Sequence, residues 1–147
     1  NDTVYDIKLL INDNYTSSIG LRSLWITNGI ENLYEKPLFG TGAGSYESTI
    51  ENFIEINKIN VDKNLAVSNN PHNEFISIST QLGLFGLILY ILFLHGLFKE
   101  SKNNYLGAGV FIIVLISSFF NSSFYDNVFG LFIVIAISLV YQKEFDQ

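Results

Sequence analysis

Apolar and polar positions alternate in two different ways along this chain, and the change falls near Pro71. Before it, apolar residues come singly or in pairs among polar ones. After it, they come in long unbroken runs. In "TSSIGLRSLWITNGIENLYEK" the residues Leu21, Trp25, Ile26, Ile30, Leu33 and Tyr34 share one helical face, which predicts an amphipathic helix. Thr16, Ser17 or Ser18 can cap its start, and Pro37 ends it by disfavouring helical backbone at Lys36. Three alternating glycines follow in "FGTGAGSY". Ser45 is then a fair N-cap for a second helix, "YESTIENFIEINK", with Tyr46, Ile50, Phe53, Ile54 and Asn57 on one side. Residues 57–70, rich in Asn and Lys, are expected to be loop.

The pattern after Pro71 predicts three spans, at about 71–98, 105–121 and 127–142. Asn70 as N-cap and Pro71 at the first helical position would start the first of them. A helix of that length covers roughly 42 Å, more than the hydrocarbon core of about 30 Å, so it must protrude or tilt. Residues 75–98, 105–125 and 127–142 carry no charged side chain, too much for one small soluble core. The expected fold is therefore all-α: an integral membrane helical bundle fragment, with residues 1–70 as an extracytoplasmic helical loop region. A soluble domain with three buried helices is the competing reading.

Charge refines this picture. Lys99, Lys102 and Lys143 flank one end of the spans, while the turn "NSSFYDN" at the other end has no base. The positive-inside rule makes the lysine side cytoplasmic and puts residues 1–70, His72 and Asp126 together outside. The start "NDTVYDIKLL" lacks the basic and apolar segments of a signal peptide, so three spans without a targeting segment read as the C-terminal part of something longer. The chain has no cysteine, which excludes disulfides and thiolate metal sites. A net charge of −6 with no basic tract argues against nucleic acid as a partner.

The chemistry-bearing residues are few. Arg22 is the single arginine beside seven lysines, and a guanidinium fork grips phosphate oxygens bidentately as an ammonium cannot. Composition alone can also account for one arginine. His72, expected second in its helix, would sit by unpaired N–H groups at the positive end of the dipole. That setting attracts anions and favours a neutral ring able to accept a proton; an exposed interfacial histidine is the plainer alternative. Asn73, Ser77, Thr80 and Gln81 continue a polar stripe that should face protein, not lipid. "GTGAG" could offer N–H groups to an anion, though a plain turn fits better. Gly83 and Gly86 suggest close helix packing, His95 a packed or hydrogen-bonded residue, and Asp126 either an orienting acid or a solvated turn residue.

Arg22 with Trp25 (R-x-x-W), then "EKPLFGTGAGSYE", then "HNEFISISTQLGLFG" occur in this order, the last as His-Asn, nine residues, Gly-x-x-Gly. Together they resemble the shared domain of bacterial O-antigen ligases, O-antigen polymerases and related oligosaccharyltransferases, over roughly residues 19–90. The resemblance implies a multi-span inner-membrane glycosyltransferase with a periplasmic loop. Such an enzyme takes a glycan from an undecaprenyl diphosphate carrier and attaches it to an acceptor hydroxyl, without metal or other cofactor. The family's loop arginine maps to Arg22 and its histidine to His72, which makes these two the catalytic candidates, His72 either as general base or as a hydrogen-bonding ligand of the diphosphate. Arg22, His72, Asn73 and Asp126 are the substrate-contact candidates. Implied partners are a lipid-linked oligosaccharide donor, a lipid A core or another glycan or protein acceptor, and membrane lipids. By the same resemblance, this stretch alone would be inactive. A non-enzymatic transport or assembly module, with Arg22 and His72 structural, is the alternative of another class.

Overall fold

The computed structural model describes residues 15, 17–67, 70–102, 105–122 and 127–141. Among them there are six helices and no strand: α1 (Ser18–Glu35), α2 (Tyr46–Ile56), α3 (Lys63–Ala66), α4 (Glu74–Ser101), α5 (Tyr105–Phe120) and α6 (Asn127–Tyr141). The all-helical expectation holds.

Local punctuation explains the boundaries of α1. Ser17 accepts from the Gly20 N–H at 3.0 Å, and the helix stops at Lys36, before Pro37. Its buried face differs from the expected one. Leu24 and Trp25 are buried together with Gly20, Asn28 and Gly29, while Ile26, Ile30 and Tyr34 are exposed. Small residues let a neighbour approach closely, and that decides the face against hydrophobicity alone. The second helix begins after Ser45 as expected, but the Ser45 side chain makes no cap bond; its hydroxyl turns to Gly42 O and Thr41 Oγ1. Within the stretch expected to be loop, Asp62 caps the short helix α3. Leu24, Trp25, Tyr46, Ile50, Ile54 and Ala66 form the core of this N-terminal layer.

The start of α4 corrects the expectation at Asn70 and Pro71. The cap is Asn73, whose Oδ1 accepts from the Ile76 N–H at 3.0 Å, and Glu74 is the first helical residue. By length and composition α4 is apolar enough to cross a membrane; α5 and most of α6 are shorter apolar helices. Yet α4 is not one straight rod. Gly83 has φ 64° and ψ −159°, and across it Phe75 and Tyr90 meet edge-on with centroids 5.6 Å apart. On a continuous helix those positions would be about 22 Å apart along the axis. The halves 74–82 and 84–101 therefore lie side by side as a hairpin turning at Gly83.

The loop 37–44 is laid across that turn. Thr41 N–H donates to Thr80 O and Gly42 N–H to Gln81 O, both at 2.9 Å, while Leu84 N–H donates to Pro37 O at 2.8 Å and Phe85 N–H to Leu38 O at 3.1 Å. The break thus leaves these four backbone groups satisfied. Gly40 and Gly83 are the residues that allow the crossing: a Cβ on Gly83 would sit 2.6 Å from Leu38 backbone, and one on Gly40 2.5 Å from Gln81 backbone. Beyond the hairpin, residues 84–101 pack antiparallel on α5, through Phe98 against Phe111 and Tyr90 against Ser118. A second cluster of Tyr90, Leu94, Leu97, Val114 and Ile133 forms there. The half 74–82 bridges the two cores, with Ile76 on the first and Phe75 and Ile78 on the second.

Candidate functional site

Two helical segments run in parallel to build the site. Trp25 faces His72, with ring centroids 5.4 Å apart. One turn on, Gly29 lies against Ile76 and Thr80. Farther still, Leu38 and Gly40 meet Gly83 and Gln81. This register puts Arg22 at the same end as His72, one turn before Trp25, on the stripe that Gly29 also occupies seven residues later. Arg22 is exposed and makes no hydrogen bond or ion pair among the described residues. Trp25 is buried and fixed by its Nε1–H, which donates to Ala66 O at 2.8 Å. It is the neighbour common to both catalytic candidates.

His72 does not occupy the second position of a helix. It precedes the cap, exposed, with φ 52°, a left-handed conformation uncommon for residues other than glycine. The Asn70 side chain holds that turn by accepting from the His72 N–H at 2.7 Å. Strained backbone of this kind persists only where its surroundings enforce it. Here they do: Asn73 caps α4 and also donates to Phe119 O at 3.2 Å, and Asn70 reaches Asn121 Oδ1 at 3.4 Å. Both asparagines thereby tie the His72 turn to the C-terminal end of α5, where the apolar run gives way to "NSSFYDN". Asn73, a substrate-contact candidate, has both ends of its amide engaged by the fold.

The polar stripe behind His72 faces protein, as expected. Ser77, Thr80 and Gln81 are buried, Gln81 donates to Ser77 Oγ at 3.0 Å, and its Oε1 accepts from Gly44 N–H at 2.6 Å. The glycine loop accordingly spends its N–H groups at Thr41, Gly42 and Gly44 on α4, as a clasp and not as an anion cradle. Gly83 is the hairpin's turn, which exceeds the packing role expected of it. His95, expected to be packed or hydrogen-bonded, is exposed. Asp126 lies outside the described residues. Among those residues, no group of His, Asp and Glu side chains could hold a metal ion.

One buried acid close to His72 in the chain escaped the sequence reading. Glu74 is 3% exposed in the first turn of α4, two residues after His72. The available signal was an acid at the N-terminus of an otherwise apolar helix, where the dipole favours negative charge.

A separate polar cleft of about 340 Å³ opens between α1 and α2, lined by residues that include Asn28, Asn32 and Thr49. Neither Arg22 nor His72 lines it.

Individually characterised proteins provide no match to this chain. The sequence pattern of the O-antigen ligase domain does match, over residues 2–91, which is more than half the chain and contains Arg22, the clasp loop, His72 and the hairpin's turn at Gly83; the protein belongs to the O-antigen ligase family.

Proposed function

We propose that the chain is the C-terminal part of a membrane glycosyltransferase that moves a glycan from undecaprenyl diphosphate to an acceptor hydroxyl, on the periplasmic face of a bacterial inner membrane. The family is membrane-associated, and its members are glycosyltransferase-like ligases. The observation that carries the finer reading is the shared neighbourhood: Trp25 packs on the His72 ring and stands one helical turn after Arg22, which has no partner among the described residues. The ties of Asn70 and Asn73 to Phe119 and Asn121 support a site at the polar end of an apolar helix. A lipid carrier would hold its diphosphate at such a boundary.

In the proposed reaction the anomeric carbon–oxygen bond to the diphosphate breaks and a bond from the acceptor oxygen to that carbon forms. The electron pair leaves on the diphosphate, where a guanidinium lowers the barrier; Arg22 has that role. His72 takes the acceptor's proton as general base, its backbone held by Asn70. Asn73 acts by fixing the turn, given that both ends of its amide are engaged. Attack opposite the departing phosphate inverts the anomeric centre. Asp126 is retained as an orienting acid for a sugar hydroxyl, on sequence grounds alone. A polymerase or a protein oligosaccharyltransferase uses the same donor chemistry, and the acceptor distinguishes them.

The test is to replace Arg22 or His72 by Ala in the full-length protein and measure surface glycan per folded molecule. Loss of at least about 100-fold for either is the expected result for removal of a preorganised catalytic group. Undiminished glycan for both variants rejects the reading and favours a non-enzymatic module.

A further inference from the structure

We infer that the cleft between α1 and α2 is a glycan-binding subsite, a reading that rests on the proposed transfer reaction and adds its substrate grip. The cleft has a volume of about 340 Å³, at the lower end of the range for small-ligand sites and suited to one or two sugar rings. Its floor is a closed network: Asn32 Nδ2–H donates to Asn28 Oδ1 at 2.8 Å, and Asn28 Nδ2–H donates to Thr49 Oγ1 at 3.3 Å. Asn28, at the centre of this floor, is fully buried.

What the network leaves over defines the ligand. Asn32 Oδ1 and the carboxylates of Glu31 and Glu35 line the cleft and accept no hydrogen bond from the described residues. These groups lie within a turn of one another on α1 and are all acceptors. They ask for a partner rich in donors, and sugar hydroxyls or an amino sugar supply them. Two carboxylates against the single cation Lys36 disfavour a phosphate. Phe53 and Ile56 add an apolar wall for the C–H face of a sugar ring.

Position agrees with chemistry. Arg22 and Trp25 occupy the beginning of α1, and the cleft starts at Asn28 and continues to Lys36. The helix runs from the level of Phe119 and Asn121 toward the Gly83 turn. Since Tyr90 meets Ser118 two residues before the end of α5, and Gly83 stands seven residues before Tyr90, that turn overhangs the end by roughly 7–8 Å. A glycan leaving a diphosphate at Arg22 and rising away from the apolar helices passes along this face.

Glu31→Ala combined with Glu35→Ala, both at exposed helical positions outside the catalytic pair, tests the inference in the full-length protein. The first probe is the native glycan released from its lipid carrier by mild acid, with binding measured by calorimetry. The second is turnover in proteoliposomes, with KM measured separately for lipid-linked donor and for acceptor. Loss of these acceptors should weaken binding of the released glycan about tenfold, and raise one KM similarly while kcat holds. A rise in donor KM assigns the cleft to the donor glycan, and a rise in acceptor KM to the acceptor's glycan. Unchanged Kd and unchanged KM for both substrates overturn the inference. If Arg22→Ala and His72→Ala both leave turnover intact, the transferase reading fails by itself, and the released-glycan Kd still decides the cleft.

Discussion

Trp25 and His72 touch ring to ring, centroids 5.4 Å apart and tilted by 46°, although 47 positions separate them in the chain. The indole also donates to Ala66 O, so one side chain joins α1, α3 and the His72 turn. Trp25→Ala should cost about 3–5 kcal/mol of stability, as expected for a large buried side chain, and lower glycan transfer per folded molecule. Trp25→Phe keeps a ring beside the imidazole and loses the hydrogen bond, at about 1–2 kcal/mol. Thermal unfolding in detergent and a transfer assay at matched abundance distinguish the two. Equal transfer by all three proteins would deny Trp25 any part in placing His72.

Arg22→Lys separates charge from shape. Lysine keeps the positive charge at an exposed position but loses the planar fork that binds two phosphate oxygens at once. We expect kcat to fall by about tenfold or more, yet less than for Arg22→Ala, with little change in stability because Arg22 has no partner among the described residues. Full activity in the lysine variant would show that bidentate geometry is unnecessary there.

The glycines provide an internally controlled series. Gly83→Ala and Gly40→Ala meet both a positive φ and backbone atoms closer than 3.0 Å. The conformation alone costs about 1–3 kcal/mol, and the collision adds to it, so both variants should be depleted from the membrane. Gly42→Ala shares the positive φ with open space around it and should show the conformational cost alone. Gly109→Ala, helical with nothing within 4 Å, should be neutral or stabilised by up to about 1 kcal/mol. Membrane abundance and detergent melting temperature rank the four.

That ranking also marks where the sequence was readable. Caps and stops are local chemistry, which is why Ser17 and Pro37 bounded α1 close to where they stand; α2 starts after Ser45 as expected, though without a side-chain cap bond. Gly83 was opaque, because a glycine in an apolar helix reads the same whether it packs a neighbour or turns the chain. Only the loop 37–44, far upstream in the chain, distinguishes the two by bonding the freed groups. The buried face of α1 was misjudged for a related reason: Gly20, Asn28 and Gly29 carry close approach and a hydrogen-bond network, neither of which hydrophobicity records. Arg22 and His72 were singled out by residue type and resemblance, whereas the packing of His72 on Trp25, one helical turn after Arg22, needed the tertiary register. The cap moved from Asn70 to Asn73 because the intervening residues form a side-chain turn that holds His72 outside the helix.

Tyr46 predicts an alkaline limit to stability. Burial pushes its phenol well above the ordinary value of 10.0, with a hydrogen bond from Asn28 pulling the other way. Below that ordinary value, folded and unfolded chains both keep the proton, and the contribution is fully present. Above it the unfolded chain ionises while the native one does not, so stability falls as pH rises, by up to about 1.4 kcal/mol per unit from this group. Tyr46→Phe should make the alkaline decline in melting temperature shallower. Identical slopes for the two proteins would assign the decline to other groups.

The hairpin makes the sharpest geometric prediction, and the absence of cysteine from the chain makes it straightforward to test. Phe75→Cys with Tyr90→Cys places two thiols where the rings now meet at 5.6 Å. A short thiol-to-thiol reagent should join them, and protease cleavage between the positions should then leave one cross-linked species. On a straight helix the same pair would be about 22 Å apart along the axis, beyond such a reagent. A control pair, Phe75→Cys with Phe98→Cys, lies farther along the returning half, where Phe98 packs on Phe111 instead, and should stay unlinked. Gly83→Ala in the background of the first pair should reduce cross-linking, because the turn, the clasp loop and the His72 site depend on one residue's freedom to adopt φ 64°. If the pair links equally well in that background, the turn does not require glycine, and the clasp loop must hold it alone.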